Sequence, residues 1–320
     1  MLVVAGEALI DLVPDADGRR RTLPGGSSFN VAVGLGTLDA DAALFAALSN
    51  DAFGTLLAHE LAAIGVRCFP RTRTEEPTTL AVVHLDADGD ATYAFYLDGT
   101  SALRLDDPGL VLPDGEAAAE QPELDTAPLH VSLGAVRLTT PGTGRTLARL
   151  LDAATARPFV SLDPNVRLAV IGDPARERDA LLRAVATVDL VKVSDEDLAA
   201  LFPDRDPIAL AGEWARSGPA LVIVTRGARG ATAVRADGGM LTVASLPVSI
   251  VDTVGAGDAF TAGLLAALDE RGLLDRSRLR AADAGTLREV LAFASTVAAV
   301  TCTRSGARPP TRHDVATFTP

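Results

Sequence analysis

The segment at residues 252–260 reads Asp-Thr-Val-Gly-Ala-Gly-Asp-Ala-Phe, a glycine-rich turn that leads into an apolar stretch of helical character. At the start of a helix, unsatisfied N–H groups and the positive end of the helix dipole together form an anion site. Side chains no larger than a methyl group at Gly255, Ala256 and Gly257 allow a phosphoryl group to approach the backbone closely. The composition of this turn therefore predicts phosphate binding.

A carboxylate, Asp258, follows the predicted anion site directly. A negative charge there would oppose anion binding unless it serves a second reactant, and an incoming hydroxyl group needs a base. Phosphoryl transfer depends mostly on positioning and charge stabilisation, so a base beside an anion site meets its main requirements. A simpler interpretation makes Asp258 a first-turn stabiliser of the helix and the glycines packing residues. The complete nine-residue string favours the catalytic interpretation.

The elements that must position this turn follow from the hydrophobic pattern. Short apolar runs alternate with helical segments and predict buried strands at 2–5, 42–48, 130–133, 159–162, 190–193 and 221–224. This order implies a mostly parallel sheet that is covered by helices on both faces. Two β-prone runs at 79–85 and 91–96 flank Asp-Ala-Asp-Gly-Asp and predict a hairpin beside the main sheet. An apolar segment at 246–251 is predicted as the strand that leads into the glycine-rich turn.

Composition limits the classes of partner. The 320-residue chain has a formal net charge of −13, which argues against nucleic-acid or anionic-membrane partners because both need a basic surface. Lys192 is the single lysine, so arginine, backbone amides or a metal are the expected phosphate ligands. Cys68 and Cys302 show no metal-ligand spacing, and the N-terminus lacks the features of a signal peptide. No apolar run is long enough to span a membrane, and we expect a cytoplasmic protein.

Two distant segments resemble the signatures of one family. Residues 252–260 resemble the C-terminal signature of the ribokinase-like (PfkB) carbohydrate kinases, and Pro-Gly-Gly-Ser-Ser-Phe-Asn-Val-Ala at 24–32 resembles their N-terminal signature. The resemblance extends in family order from Gly6 to Ala307. It implies a single domain over residues 1–320, built as a three-layer α/β/α sandwich with a mostly parallel central sheet. It also implies a small β-sheet lid formed by segments at about 12–23 and 78–98.

The resemblance also assigns the acceptor side of the site. Asp258 matches the family's catalytic base, and the three residues before it match the anion hole. Arg167 ends the segment Asp-Pro-Asn-Val-Arg, which is similar to one in fructokinases and 2-keto-3-deoxygluconate kinases, and a guanidinium group binds phosphate bidentately. Without the family, Asp11 reads as a surface carboxylate, Asn30 as a helix cap and Arg167 as half of a surface ion pair. The positions that match the sugar-binding set are Asp11, Gly25, Gly26, Asn30, Phe95 and Asn165.

On the nucleotide side, the resemblance implies ATP and Mg²⁺ as cofactors and leaves K⁺ open. Residues 192–197 align with the family's Asn-x-x-Glu region around hydrated Mg²⁺, with Ser194 in place of Asn and Asp197 in place of Glu. Asp197 or its neighbour Glu196 would hold Mg²⁺ through water, and Asp252 lies beside the family's monovalent-cation loop. The matching nucleotide-site positions are Lys192, Ser194, Thr225, Gly227, Gly230 and Ser295.

The predicted acceptor is fructose or a related neutral sugar. Gly-Glu-Ala-Leu-Ile-Asp at 6–11 and the 163–167 segment indicate the fructokinase and 2-keto-3-deoxygluconate kinase branch. Leu97 stands where fructokinases carry an arginine, and an acidic acceptor would need Arg104 or Arg167 for its carboxylate. The alternatives are a 2-keto-3-deoxygluconate kinase, a nucleoside-type or vitamin-precursor kinase, and a catalytically silent sugar- or nucleotide-binding regulator. Exposed edges of the lid favour a homodimer.

Overall fold

A computed structural model of the chain describes residues 1–15, 17–69, 73–85, 91–105, 127–152 and 159–319. Its main sheet has nine strands. In spatial order these are β13 (Met240–Val243), β12 (Ala231–Val234), β11 (Leu221–Thr225), β10 (Leu190–Ser194), β9 (Val160–Asp163), β8 (Leu129–Ser132), β1 (Leu2–Ala5), β4 (Ala42–Phe45) and β5 (Arg67–Phe69). The strands from β11 to β5 are parallel, while β12 and β13 turn back antiparallel at one edge.

Helices cover both faces of this sheet, which explains why its strands are nearly continuous apolar runs. One face carries α1 (Ser27–Thr37), α2 (Ala52–Ala63), α7 (Ala256–Glu270), α8 (Arg276–Ala281) and α9 (Ala284–Cys302). The other carries α3 (Thr143–Asp152), α4 (Pro174–Val185), α5 (Asp195–Leu201) and α6 (Pro207–Ser217). A last helix, α10 (Arg312–Thr317), packs against α9. Across the described part of the chain, none of these helices has the length and apolarity to span a membrane. The predicted three-layer α/β/α sandwich is confirmed.

A second, four-stranded sheet follows directly from the end of β1. Its strands lie in the order β3 (Arg20–Gly25), β2 (Leu9–Pro14), β6 (Leu80–Leu85) and β7 (Ala91–Tyr96). Two antiparallel pairs, β2–β3 and β6–β7, are joined by the parallel pair β2–β6. The predicted hairpin at 79–96 is therefore confirmed in its strands, while its turn at 86–90 lies outside the described residues.

The strand predicted at 246–251 is wrong. Residues 244–250 form no strand, and the apolar side chains of Ile250 and Val251 are exposed. Pro247 lacks the N–H group that a sheet ladder requires, and the Val251 N–H group donates to the carbonyl of Cys302 at 2.8 Å instead. The glycine-rich turn is therefore fed by an extended connection that lies against the end of α9.

Candidate active site

Polar side chains gather at the carboxyl edge of the main sheet. Glu7 follows β1, while Ser132, Asp163, Ser194 and Thr225 are the last residues of β8, β9, β10 and β11. Because these strands are parallel, their carboxyl ends share one edge, and ligands of open α/β sheets bind outside that edge. The second sheet rises from the same edge because β2 continues from β1 through residues 6–8.

The glycine-rich turn forms the N-terminus of α7, as the sequence predicts. Gly255 is the residue before the first turn and has φ = 77°, a conformation that favours glycine. A Cβ atom on Gly255 would lie 2.5 Å from Cβ of Ala307, so a side chain has no room there. Ala256 N–H donates to Thr253 O at 3.2 Å, whereas Gly257 and Asp258 occupy first-turn positions whose N–H groups have no acceptor within the helix. These amides form the candidate anion site.

Asp258 lies at the centre of the site and is 9% exposed. Its Oδ1 accepts a hydrogen bond from Ser27 Oγ at 2.7 Å, and its Oδ2 accepts one from Asn30 Nδ2 at 2.8 Å. Both partners come from the N-terminal part of α1, which packs against α7. Burial raises the pKa of Asp258, and these two donors, followed by the Lys192 ammonium, limit the rise.

Four of the six residues predicted to bind sugar lie near this carboxylate. Burial and then repulsion by Asp258 raise the pKa of Asp11 to about 6, and Arg167 opposes that rise. A Cβ atom on Gly25 would lie 2.1 Å from Asp11 Oδ2, so glycine at this position makes room for the carboxylate. Gly26 begins α1 with φ = 100°. The structure therefore brings Asp11, Gly25, Gly26 and Asn30 together around Asp258.

The second sheet adds an aromatic surface to this side of the site. The rings of Tyr93 and Phe95 stack with centroids 6.1 Å apart. They pack on a small apolar cluster of Leu9, Ala81 and Ala135. Phe95 is half-buried, so part of its ring remains available to a ligand, as the predicted sugar-binding role requires.

A buried ion pair, Lys192–Asp163, lies beneath the anion site. Lys192 Nζ is 2.9 Å from Asp163 Oδ2, and neither side chain is more than 6% exposed. Burial lowers the pKa of Lys192, but Asp163, with the nearby carboxylates of Asp197 and Asp258, outweighs burial, and the net pKa is above its usual value. A Cβ atom on Gly257 would lie 3.2 Å from Lys192 Nζ, so the ammonium group reaches the backbone of the anion site.

The 163–167 segment follows β9 at this edge of the sheet, and its backbone turns at Asn165. Asn165 has φ = 35°, and its N–H group donates to Asp163 Oδ1 at 3.1 Å. Arg167 is exposed and donates from Nη1 to the carbonyl of Val166. Its guanidinium is near enough to Asp11 to influence the pKa of that carboxylate.

A second buried ion pair, which was not predicted from the sequence, supports this segment. Arg137 is 0% exposed, pairs with Glu177 Oε1 at 3.0 Å, and donates to the carbonyls of Pro164 and Asn165 at 2.5 and 3.3 Å. Thr139 Oγ1 also donates to Glu177 Oε2 at 2.6 Å. The position of the 163–167 segment therefore depends on a charge pair supplied by residue 137 and α4.

The predicted metal residues are arranged in different ways. Ser194 and Asp197 form a capping box at the start of α5. The two Asp197 oxygens accept from Val166 N at 2.7 Å and Ser194 N at 3.2 Å, so this carboxylate is used within the protein. Glu196 is exposed. Within the described ranges, no group of three or more His, Cys, Asp or Glu side chains is placed to hold a metal ion.

The remaining nucleotide-site predictions fall at the next strand end and on α9. Thr225 ends β11, and its Oγ1 donates to Val193 O at 3.4 Å. Gly227 and Gly230 both have positive φ, at 53° and 83°, and a Cβ atom on Gly230 would lie 2.0 Å from Val243 O. The Thr-x-Gly-x-x-Gly turn therefore requires its glycines. Ser295 is buried in α9.

Asp252 organises the loop before the anion site. Its Oδ1 accepts from Val254 N at 3.0 Å, and its Oδ2 accepts from Gly306 N at 2.8 Å. The carboxylate therefore joins the 252–255 turn to the segment that follows α9. This arrangement fixes the conformation of the predicted cation loop.

Three buried residues of the site were not predicted as functional: Glu7, Ser27 and Ser132. Glu7 Oε1 accepts from the N–H groups of Ser27 and Ala135 at 3.2 and 3.3 Å, and Ser27 Oγ is 2.5 Å from Ser132 Oγ. A charged residue between two apolar runs, as at Glu7, was a usable signal in the sequence. Ser27 appeared there only as one member of the signature at 24–32.

Known proteins resemble this chain in both sequence and fold. Residues 1–314 match the model of the pfkB family carbohydrate kinases. A fructokinase of Rhizobium leguminosarum bv. trifolii is 38% identical over 90% of this chain and 86% of its own length, and one of Klebsiella pneumoniae is 36% identical over 95% and 94%. Among solved structures, a Xylella fastidiosa fructokinase with bound ATP superposes with a TM-score of 0.85 at 26% identity, covering 99% of this chain and 97% of that one. A Vibrio cholerae fructokinase bound to fructose, ADP and potassium ion gives 0.81 at 25% identity, with coverages of 99% and 97%.

Proposed function

Because the chain belongs to the pfkB family of carbohydrate kinases, we propose that it transfers a phosphoryl group from ATP to a hydroxymethyl group of fructose, with Asp258 as the base. The observation that carries this proposal is the position of Asp258. A buried carboxylate, held by two side-chain donors, adjoins the N-terminus of a helix that has no side-chain cap. This arrangement supports a base beside an anion site, at one edge of a proposed substrate cleft.

The residues divide the reaction between them. Asp258 takes the proton of the acceptor hydroxyl as the new bond forms, an assistance typically worth about 100- to 10,000-fold in rate. The Gly257 and Asp258 amides hold the transferring group, and the Lys192 ammonium adds positive charge from beneath. Arg167, which is exposed at the rim of the cleft, neutralises the charge that remains.

The nucleotide side fits ATP through its backbone more than through its side chains. Gly227 leaves the turn after β11 open to phosphate oxygens, and Gly230 lets the same turn pack against the backbone of Val243. Ser194 and Ser295 belong to neighbouring elements, at the end of β10 and on α9. When bound, ATP with Mg²⁺ supplies the γ-phosphoryl group and shields its charge. Of the two predicted metal residues, the exposed Glu196 is the better water-mediated partner because Asp197 already accepts two backbone N–H groups. The loop fixed by Asp252 is the place for K⁺.

The acceptor side favours a neutral ketose. Asp11, Asn30 and Asn165 offer the paired acceptors and donors that neighbouring hydroxyl groups need. Arg104 is 3.1 Å from Glu76, so it is engaged elsewhere and does not offer a free cation to the carboxylate of an acidic sugar. The fructokinase relatives at 38% and 36% identity and the fructose-bound structure support the same choice.

The whole chain would act as one kinase domain in the cytoplasm, with the second sheet as the lid over the sugar. The lid would exclude water, which otherwise competes as phosphoryl acceptor. Its outer strands β3 and β7 have free edges in the described chain, and Tyr96 on β7 is 61% exposed. A homodimer that pairs these edges would cover them. Sedimentation of the wild type as a dimer and of a Tyr96→Lys variant as a monomer would support it.

A substrate panel tests the proposed function. ATP consumption is measured with fructose, ribose, 2-keto-3-deoxygluconate, a nucleoside and no acceptor, at equal concentrations. We expect fructose to give the highest kcat/KM and the acceptor-free rate to be low. Preferred turnover of the acidic sugar or the nucleoside would contradict the fructose assignment, and no sugar-dependent turnover at all would contradict the kinase itself.

A further inference from the structure

The base of the proposed reaction sits in a carboxylate-rich environment. Carboxylates face Asp258 from three neighbouring elements: Glu7 after β1, Asp11 on β2 and Asp163 at the end of β9. Lys192 on β10 is the cation that opposes them. Burial and this excess of negative charge both favour the protonated carboxyl, which is useless as a base. Groups that donate hydrogen bonds to the charged form must offset that tendency.

Ser27 is one of the two side chains that do so. Its Oγ is 2.7 Å from Asp258 Oδ1, and both residues are buried. A carboxylate only accepts hydrogen bonds, so the single hydroxyl proton of Ser27 must point at Asp258. In the 2.5 Å hydrogen bond between the two serines, Ser132 Oγ must then be the donor and Ser27 Oγ the acceptor. The two hydroxyl groups form a directed chain from Ser132 through Ser27 to the base, and such chains strengthen each member.

The backbone of Ser27 is fixed as firmly as its side chain. Its N–H group donates to Glu7 Oε1 at 3.2 Å, and Glu7 also holds Ala135. Asn30, the other donor to Asp258, lies one turn further along α1. Helix α1 therefore presents two donors to the two oxygens of the carboxylate and leaves it one orientation.

We propose that Ser27 is a positioning residue for the base: its hydroxyl, oriented by Ser132, fixes Asp258 and keeps the carboxylate charged before the acceptor arrives. This inference rests on the proposed function, because it needs Asp258 to act as the base. It adds to that function a residue that acts through Asp258.

The test is the pH dependence of kcat/KM for fructose, whose acid limb reports the base of the free enzyme. Ser27→Ala removes one charge-assisted hydrogen bond, so we expect the acid limb to move up by about one pH unit and the rate well below the limb to fall about tenfold. The alkaline plateau should change much less. Ser27→Cys keeps a weak donor in nearly the same volume and should give an intermediate shift.

Ser28→Ala is the matched control. Ser28 is equally buried in the same turn, but its hydroxyl donates to the carbonyls of Ala5 and Ser132 and not to Asp258. An acid limb that moves for Ser27→Ala and stays in place for Ser28→Ala supports the proposal. An acid limb that does not move for Ser27→Ala, or that moves equally for both variants, overturns the positioning role of Ser27. If these variants still phosphorylate fructose, the proposed function is unaffected by that result. If Ser27→Ala does not fold, the Ser27→Cys limb decides in the same way. A wild-type chain without sugar-dependent turnover removes both proposals together.

Discussion

Replacement of Glu7 by glutamine tests the electrostatics of the site, because burial strongly raises the pKa of Glu7. Glu7 is 2% exposed; its Oε1 accepts two backbone N–H groups, whereas Oε2 has no hydrogen-bond partner among the described residues. Burial raises the pKa of Glu7 from 4.5 to about 7, despite the backbone donors that oppose the rise. Glutamine keeps the accepting oxygen and cannot ionise.

The sign and size of the effect follow from proton linkage. Between pH 4.5 and 7 the folded chain binds more protons at Glu7 than the unfolded chain does. The stability that Glu7 contributes is therefore complete below pH 4.5 and is lost as the pH rises through 7. At 1.36 kcal/mol per pKa unit, the loss is about 3 kcal/mol at most. We expect Glu7→Gln to become more stable than the wild type by up to this amount as the pH rises from 5 to 8.

Urea unfolding of both proteins at pH 5, 6, 7 and 8 measures the difference. Subtracting the wild-type free energy of unfolding at each pH cancels the groups that titrate alike in both proteins. Glu60→Gln on the exposed face of α2 is the control and should show no pH-dependent difference. A Glu7→Gln difference that is constant from pH 5 to 8 would show that the pKa of Glu7 is not raised in the folded chain.

Two further substitutions probe the supports of the site. Arg137→Leu leaves Glu177 buried without its cation, so we expect the free energy of unfolding in urea to fall by about 3 to 5 kcal/mol. The double variant Arg137→Leu/Glu177→Leu should lose clearly less. Equal losses in the two variants would argue against a stabilising role of the ion pair. Gly255→Ala adds a Cβ atom 2.5 Å from Ala307 at φ = 77°, so we expect at least about 1 kcal/mol of destabilisation and slower turnover, and unchanged kinetics would contradict the proposed anion site.

The sequence predicted the parts of this protein that depend on local pattern. Buried parallel strands must be apolar on both sides, so most strands of the main sheet were visible as short apolar runs. The glycine-rich turn was equally visible, because Gly255 adopts a conformation that favours glycine. By contrast, residues 246–251 are apolar without being a strand, and hydrophobicity alone does not show that Pro247 lacks the required N–H group.

Features that depend on distant contacts were not predictable in the same way. Arg137 contacts the 163–167 segment and α4, which lie 27 to 40 positions further along the chain. Ser27 meets Asp258 across 231 positions. A serine or arginine in isolation carries no sign of such a partner. For Asp197 the sequence pattern predicted a metal-binding role. In the fold, both of its oxygens accept hydrogen bonds from backbone N–H groups, which the pattern did not show.

The central claim is that Asp258 removes the proton from the sugar hydroxyl beside the anion site. The most direct measurement compares kcat for ATP-dependent fructose phosphorylation in Asp258→Asn with that in the wild type, alongside Asp269→Asn, an exposed aspartate on the same helix. Fructose binding to each protein, measured by calorimetry, shows whether the cleft is intact. We predict that Asp258→Asn binds fructose nearly as well as the wild type but turns over at least about 100-fold more slowly, while Asp269→Asn is unaffected. Turnover of Asp258→Asn within a few-fold of the wild type would contradict the account.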